Sequence, residues 1–180
     1  MEQKKRAPQT HYLVTEEYLM TRSAALHFPA KQFNSMLPSK DSVYGMVIDM
    51  PMDPRTVATL VVYINGAANL YFNNGGSYTG ASQRYQSLVQ ASRLLVINGT
   101  RILPEAKKTK QLSMPLGQPH NIFLLTRNGI YEKQVMPTEV SQESKDVQSV
   151  YFLYQQVMRE LRSAQLKDRA AAQALSLIHI

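Results

Sequence analysis

The chain contains no cysteine and no tryptophan among its 180 residues. Without cysteine there can be no disulfide, no thiolate metal site and no cysteine nucleophile. No apolar run approaches the ~18 residues that a membrane-spanning helix needs. The basic start, Met1 to Arg6, is not followed by the apolar stretch of a secretion signal. These features predict a cytoplasmic protein. Acidic residues are scarce, 13 against 20 lysines and arginines, which leaves a net charge of +7. What is there in quantity is apolar: 44% hydrophobic against 18% charged residues is a balance that builds a core. The length suits one domain with appendages.

The positive charge is gathered in Lys4, Lys5 and Arg6, in Lys107, Lys108 and Lys110, and in Arg159, Arg162, Lys167 and Arg169. Nucleic-acid modules place such charge on one packed face with stacking aromatics nearby. These segments hold few aromatics and read as solvated tails and a loop, with nucleic-acid contact through the basic tails as the lesser alternative. The four histidines, His11, His27, His120 and His179, show no metal-ligand spacing. No metal and no cofactor are predicted, and His27 and His120 read as surface or interface residues.

Residues 1–14 read as a loose basic tail. Thr15 is a suitable N-cap for a helix that opens with Glu16 and Glu17 and ends before Pro29, and residues 30–42 form a connector. Strands are predicted over Val43 to Met50 and Thr56 to Ile64. The second is β-branched and apolar throughout, as suits burial on both faces. Asn65-Gly66 is a strong hairpin signal because a type I′ turn needs positive φ twice, and a returning strand follows over Ala68 to Phe72. Tyr85, Leu88, Val89, Ser92, Leu95 and Val96 make one stripe of a helix over 82–97, with Asn98-Gly99 as a left-handed stop. Residues 104–118, with several lysines and prolines, read as a connector outside the core. Strands over Asn121 to Thr126 and Ile130 to Val135 flank a second hairpin signal, Asn128-Gly129. The cleanest amphipathic stripe runs from Val147 through Val150, Tyr151, Tyr154, Val157 and Met158 to Leu161. Tyr151 and Tyr154 then lie at the edge of the core.

This order, α-β-β-β-α-β-β-α, predicts an α+β fold: an antiparallel sheet of about five strands with amphipathic helices packed on it. With strands numbered along the chain, the expected spatial order is 3-2-1-5-4. The domain spans 43–162, and 163–174 extends its last helix.

One stretch invites a chemical reading. Gly75-Gly76-Ser77-Tyr78-Thr79-Gly80-Ala81-Ser82 has the spacing of a phosphate loop between a strand and a helix, but Ala81 stands where the phosphate-binding lysine belongs. Two roles stay open. The glycines turn the chain where φ is positive; or Gly75, Gly76, Ser77, Gly80 and Ser82 hold an anion near a helix N-terminus, with Arg84 adding a charge-assisted contact. Asp49 and Asp53 flank a turn as a weak carboxylate pair, and Asp53 before Pro54 suits a turn former. No catalytic residue is assigned.

The run Leu70-Tyr71-Phe72-Asn73-Asn74-Gly75-Gly76-Ser77-Tyr78-Thr79-Gly80-Ala81, with the later Phe123-Leu124-Leu125-Thr126-Arg127-Asn128-Gly129, carries a resemblance. The stretch Val43 to Leu161 resembles the profilin-like group of small scaffolds, to which roadblock and longin domains are related in architecture. More narrowly it is similar to an uncharacterised bacterial family, marked by a strand ending in Leu-Tyr-Phe, a paired-glycine turn and a further glycine before a helix. It departs from that mark at Asn74 and Ser77. The resemblance implies a non-catalytic protein-interaction or regulatory scaffold with a protein partner or a second copy. The alternative is a sensor of a small ligand or anion, phosphate or nucleotide, using the glycine loop 73–82. A second resemblance concerns residues 175–180, Leu-Ser-Leu-Ile-His-Ile, which match translated transposon-end adapter DNA from sequencing libraries. It implies an adapter-derived segment, with the native ending beyond residue 174 missing.

Overall fold

The computed structural model describes residues 12–178. Residues 1–11 of the expected basic tail, with His11, and residues 179–180 of the adapter-like segment lie outside the described residues. Helix α1 (Glu16–Leu26) precedes strands β1 (Gly45–Asp53), β2 (Thr56–Tyr63), β3 (Ala68–Phe72) and β4 (Ser77–Tyr78). Helix α2 (Gln86–Gly99) leads through a 3-10 turn to β5 (Lys107–Thr109), β6 (His120–Thr126) and β7 (Gly129–Val135), and α3 (Lys145–Ile178) closes the chain. The fold is α+β, and every strand pairing is antiparallel.

The local signals act as their chemistry requires. The Thr15 hydroxyl accepts the Tyr18 amide at 3.1 Å and caps α1. Gly66 and Gly129 take φ of 91° and 128° in the two hairpins, a region a side chain would resist.

Three expectations are corrected. The sheet has seven strands, not about five, in the order β4-β3-β2-β1-β6-β7-β5. The added strands, β4 and β5, have two and three residues, too short for any alternation; their ladders are supplied by β3 and β7. The expected order 3-2-1-5-4 also fails, because β1 pairs with β6, Gly45 opposite Leu125, and β7 lies outside. Burial explains the choice: all seven residues of β6 are buried, whereas β7 is mostly half-exposed, so β6 takes the central place. Finally, the helix expected over 82–97 starts at Gln86, after a 3-10 turn at Ala81–Gln83, and Gly99 is not left-handed. Its φ is −56°, and the chain winds on into the 3-10 turn Thr100–Glu105. Glycine is needed there for space, since a Cβ would sit 2.9 Å from the Met46 sulfur.

Both faces of the sheet are covered. On one, Met46, Ile48, Leu60, Val62, Ile122 and Leu124 meet Leu88, Leu95 and Val96 of α2 and Val150, Tyr154, Val157 and Leu161 of α3. On the other, Ala25 and Leu26 of α1 and Phe33 of a 3-10 turn (Ala30–Met36) pack on Tyr44, Val47, Val61, Tyr63, Phe123 and Leu125. Phe33 stacks on Tyr44 and Tyr63 with ring centres 5.9 and 5.5 Å away. The burial of such a ring is worth about 1.5–3 kcal/mol. Residues 15–42 thus form the second layer. The connector 104–118, expected outside the core, is corrected as well, because it helps to build this face: Leu112 packs on the cluster, and the Leu112 and Ser113 carbonyls accept bonds from Arg22. Among the described residues no helix is long and apolar enough to cross a membrane.

Candidate functional site

The glycine stretch is divided between two turns. Gly75 (φ 95°) and Gly76 make the β3–β4 hairpin, closed by the Phe72 amide on the Gly76 carbonyl at 2.8 Å. Gly75 lies against Thr15, the cap of α1. Gly80 (φ 78°) turns the chain into the 3-10 segment that contains Ser82. Asn side chains hold both turns: Asn74 Oδ1 accepts the Gly76 amide at 2.9 Å and Asn69 Oδ1 the Gly80 amide at 3.2 Å. Ser77 is exposed on β4. The six residues of the anion reading therefore sit on one sheet edge, with the Gly76 and Gly80 amides engaged within the chain.

Arg84 does meet an anion, supplied by α3. Its Nη2 donates to Asp168 Oδ2 at 2.7 Å, the Tyr78 hydroxyl donates to the same oxygen at 2.6 Å, and the Tyr85 hydroxyl donates to Oδ1. A carboxylate with two phenols and a guanidinium around it is strongly favoured as the anion. Arg84 first, then the two tyrosines, pull the Asp168 carboxyl down to about 2. The α3 stripe did not include Asp168, since it lies beyond the buried residues, which end at Ala164. Its only sequence signal is an acid amid Lys167 and Arg169.

Tyr78 also borders a groove of about 570 Å³ between α3 and the ends of β1 and β3. Its floor includes Met50, Leu70 and Leu161, and Tyr151 and Met158 form one wall. Arg159 and Arg162 stand at its rim; among the described residues neither has an ion-pair partner, and no Asp or Glu lines the groove. His120 lies in it too, and here the expectation of a surface or interface residue is corrected: the ring is only 7% exposed. It is the first residue of a strand buried along its whole length, and Tyr151 stacks over it at 6.2 Å. Its Nδ1 shares a 2.8 Å hydrogen bond with the Tyr154 hydroxyl, and Tyr154 is fully buried rather than at the core edge. Burial lowers the His120 pKa to about 4, so the ring is neutral near pH 7.

The Asp49–Asp53 pair does not form a site. Asp49 is completely buried and bound to Arg22 Nη2 at 2.7 Å, with the Thr59 hydroxyl donating to its Oδ1 at 2.7 Å and Tyr18 joining through Thr59 at 2.6 Å. Asp53 caps its turn by accepting the Arg55 amide at 2.8 Å, the role its place before Pro54 suggested. Among the described residues no three His, Asp or Glu side chains gather as metal ligands. No protein-family model, no curated protein and no solved structure matches the chain.

Proposed function

We propose that this chain is a non-catalytic protein-interaction or regulatory scaffold domain of profilin-like layout, acting in the cytoplasm with a protein or a second copy of itself as partner. The observation that supports this most is α3. Its buried residues stop at Ala164, yet it stays helical to Ile178, tied back through Asp168. Leu166 is 54% exposed on this overhang. A helix that packs on nothing is marginal by itself, and apolar side chains held out on one suit a contact surface. A photo-crosslinking residue at Leu166 tests the reading. A discrete adduct is expected there, from the chain ended at Ala174 as well, and none from the exposed control position Gln111. No adduct, or the same adducts from both positions, refutes it.

The anion-sensor alternative keeps one supporting observation, since Arg84, Tyr78 and Tyr85 already grip a carboxylate beside Gly80. On that reading an external phosphate displaces Asp168. Thermal-shift measurements with nucleotides and phosphorylated metabolites separate the two, because a ligand at 100 times its Kd adds ~2.7 kcal/mol.

A further inference from the structure

We propose that the groove beside α3 binds a small amphipathic carboxylate, its apolar body on Met50, Leu70, Tyr151 and Met158 and its head group at Arg159 and Arg162. The inference goes beyond the scaffold reading and needs no partner on the α3 overhang.

Four observations converge on this ligand. The volume, about 570 Å³, falls in the range of sites for small molecules. The floor is apolar, with Met50, Leu70 and Leu161 buried in the core beneath it. The rim charge has one sign: Arg159 and Arg162 are exposed, three residues apart on the same side of α3, and no acid answers them in the groove. The nearest acids on α3 are engaged elsewhere: Glu160 lies outside the groove lining and accepts bonds from Ser87 and Gln156, and Asp168 is committed to Arg84, Tyr78 and Tyr85. Last, His120 is more than nine-tenths buried and lines the groove with half of its hydrogen-bonding capacity unused. Nδ1 is taken by Tyr154, and Nε2 makes no hydrogen bond with any described residue. Among the described residues no sealed side-chain nitrogen or oxygen lacks a partner, so this Nε2 is open to the groove, where a ligand's polar atom can reach it.

The α3 backbone offers none of the usual phosphate contacts. Phosphate sites draw on free amides at glycine turns or helix N-termini. The α3 residues that line this groove, 151–165, are mid-helix, and their amides are already bonded within it. The guanidinium groups can pair a carboxylate through parallel N–H···O bonds, and the apolar floor beside them takes the hydrocarbon body that inorganic phosphate lacks.

Methionine methyl NMR on the full chain tests the proposal, because Met50, Met52 and Met158 line the groove while Met20, Met36 and Met114 lie elsewhere. The probes are octanoate, octanol and inorganic phosphate. Octanoate is expected to shift the groove methyls with saturation and leave the remote ones in place. Octanol, with the same body and no charge, binds about tenfold more weakly. Arg159→Gln/Arg162→Gln, at exposed positions that leave the fold intact, brings octanoate down to the octanol level and leaves octanol unchanged. Shifts that do not saturate, shifts spread over Met20 and Met36, or equal octanoate binding by the double variant overturn the proposal. So does phosphate alone reproducing the octanoate shifts. An acidic apolar peptide that saturates the groove methyls when octanoate does not would make the groove a peptide-docking surface instead.

Discussion

Arg22–Asp49 and Arg84–Asp168 are the same two side chains at the same 2.7 Å, placed in opposite surroundings. The first pair is sealed between α1 and the sheet, its side chains 7% and 0% exposed. Every group around it is used: Arg22 also reaches the Leu112 and Ser113 carbonyls, and Asp49 takes the Thr59 hydroxyl. The second pair stands at the sheet edge, 47% and 29% exposed, where water and salt compete. Identical chemistry therefore does different jobs. The buried pair fixes how α1 sits on the sheet, since a mispositioned charge there has no water to fall back on. The exposed pair only tethers the overhang of α3.

The largest effect should come from cutting the buried pair on one side. Arg22→Met leaves Asp49 buried without its cation and is expected to cost about 3–5 kcal/mol in urea unfolding. The double variant Arg22→Met/Asp49→Leu should recover most of that loss; a double variant as unstable as the single one would show that Asp49 is not the reason.

Acid should affect the other face next. His120 is held near 4, below its ordinary value of 6.5, so the unfolded chain takes up a proton that the native chain refuses. This contribution to stability is complete above pH 6.5 and is lost as pH falls towards 4, on the order of 2–3 kcal/mol. His120→Gln should flatten the melting temperature against pH in that window, and an unchanged slope would assign the acid sensitivity elsewhere. Asp168, with its pKa lowered to about 2, acts only further down: its contribution is present above its ordinary value and fades as pH approaches 2.

Asp168→Asn should leave global stability nearly unchanged, in keeping with an exposed pair. Its signature is local: faster amide exchange over residues 165–174, with protection of the α1 amides unaltered. Smallest of all, raising salt from 0.05 to 0.5 M should loosen that same stretch and leave the Arg22–Asp49 network untouched, because screening reaches exposed charges far more than buried ones.

The two pairs also mark the limit of what the sequence discloses. The Asn-Gly hairpins, the α3 stripe and the Thr15 cap were readable because each depends on residues within a few positions of one another. The α1 helix carries no clean apolar stripe, because one of its buried positions is Arg22, a charged residue held there by Asp49. Asp49 itself was visible, but as half of a carboxylate pair; its cation lies 27 residues away. His120 looked like a surface residue because nothing adjacent to it announces that Tyr154 and Tyr151 close over it. The groove is assembled from β1, β3, β6 and α3, and no single segment carries its outline.

Residue order alone determined the α+β class, the antiparallel hairpins and most helix positions, since propensity, turn conformation and amphipathic period act over one or two turns of chain. Tertiary structure decided the rest. β4 and β5 are strands only because a neighbour offers a ladder to pair with. β6 is central because burial on both faces favours its apolar run over β7. The two Arg–Asp pairs differ in strength through the water around them, and that is a property of the packed surface that no local stretch of residues encodes.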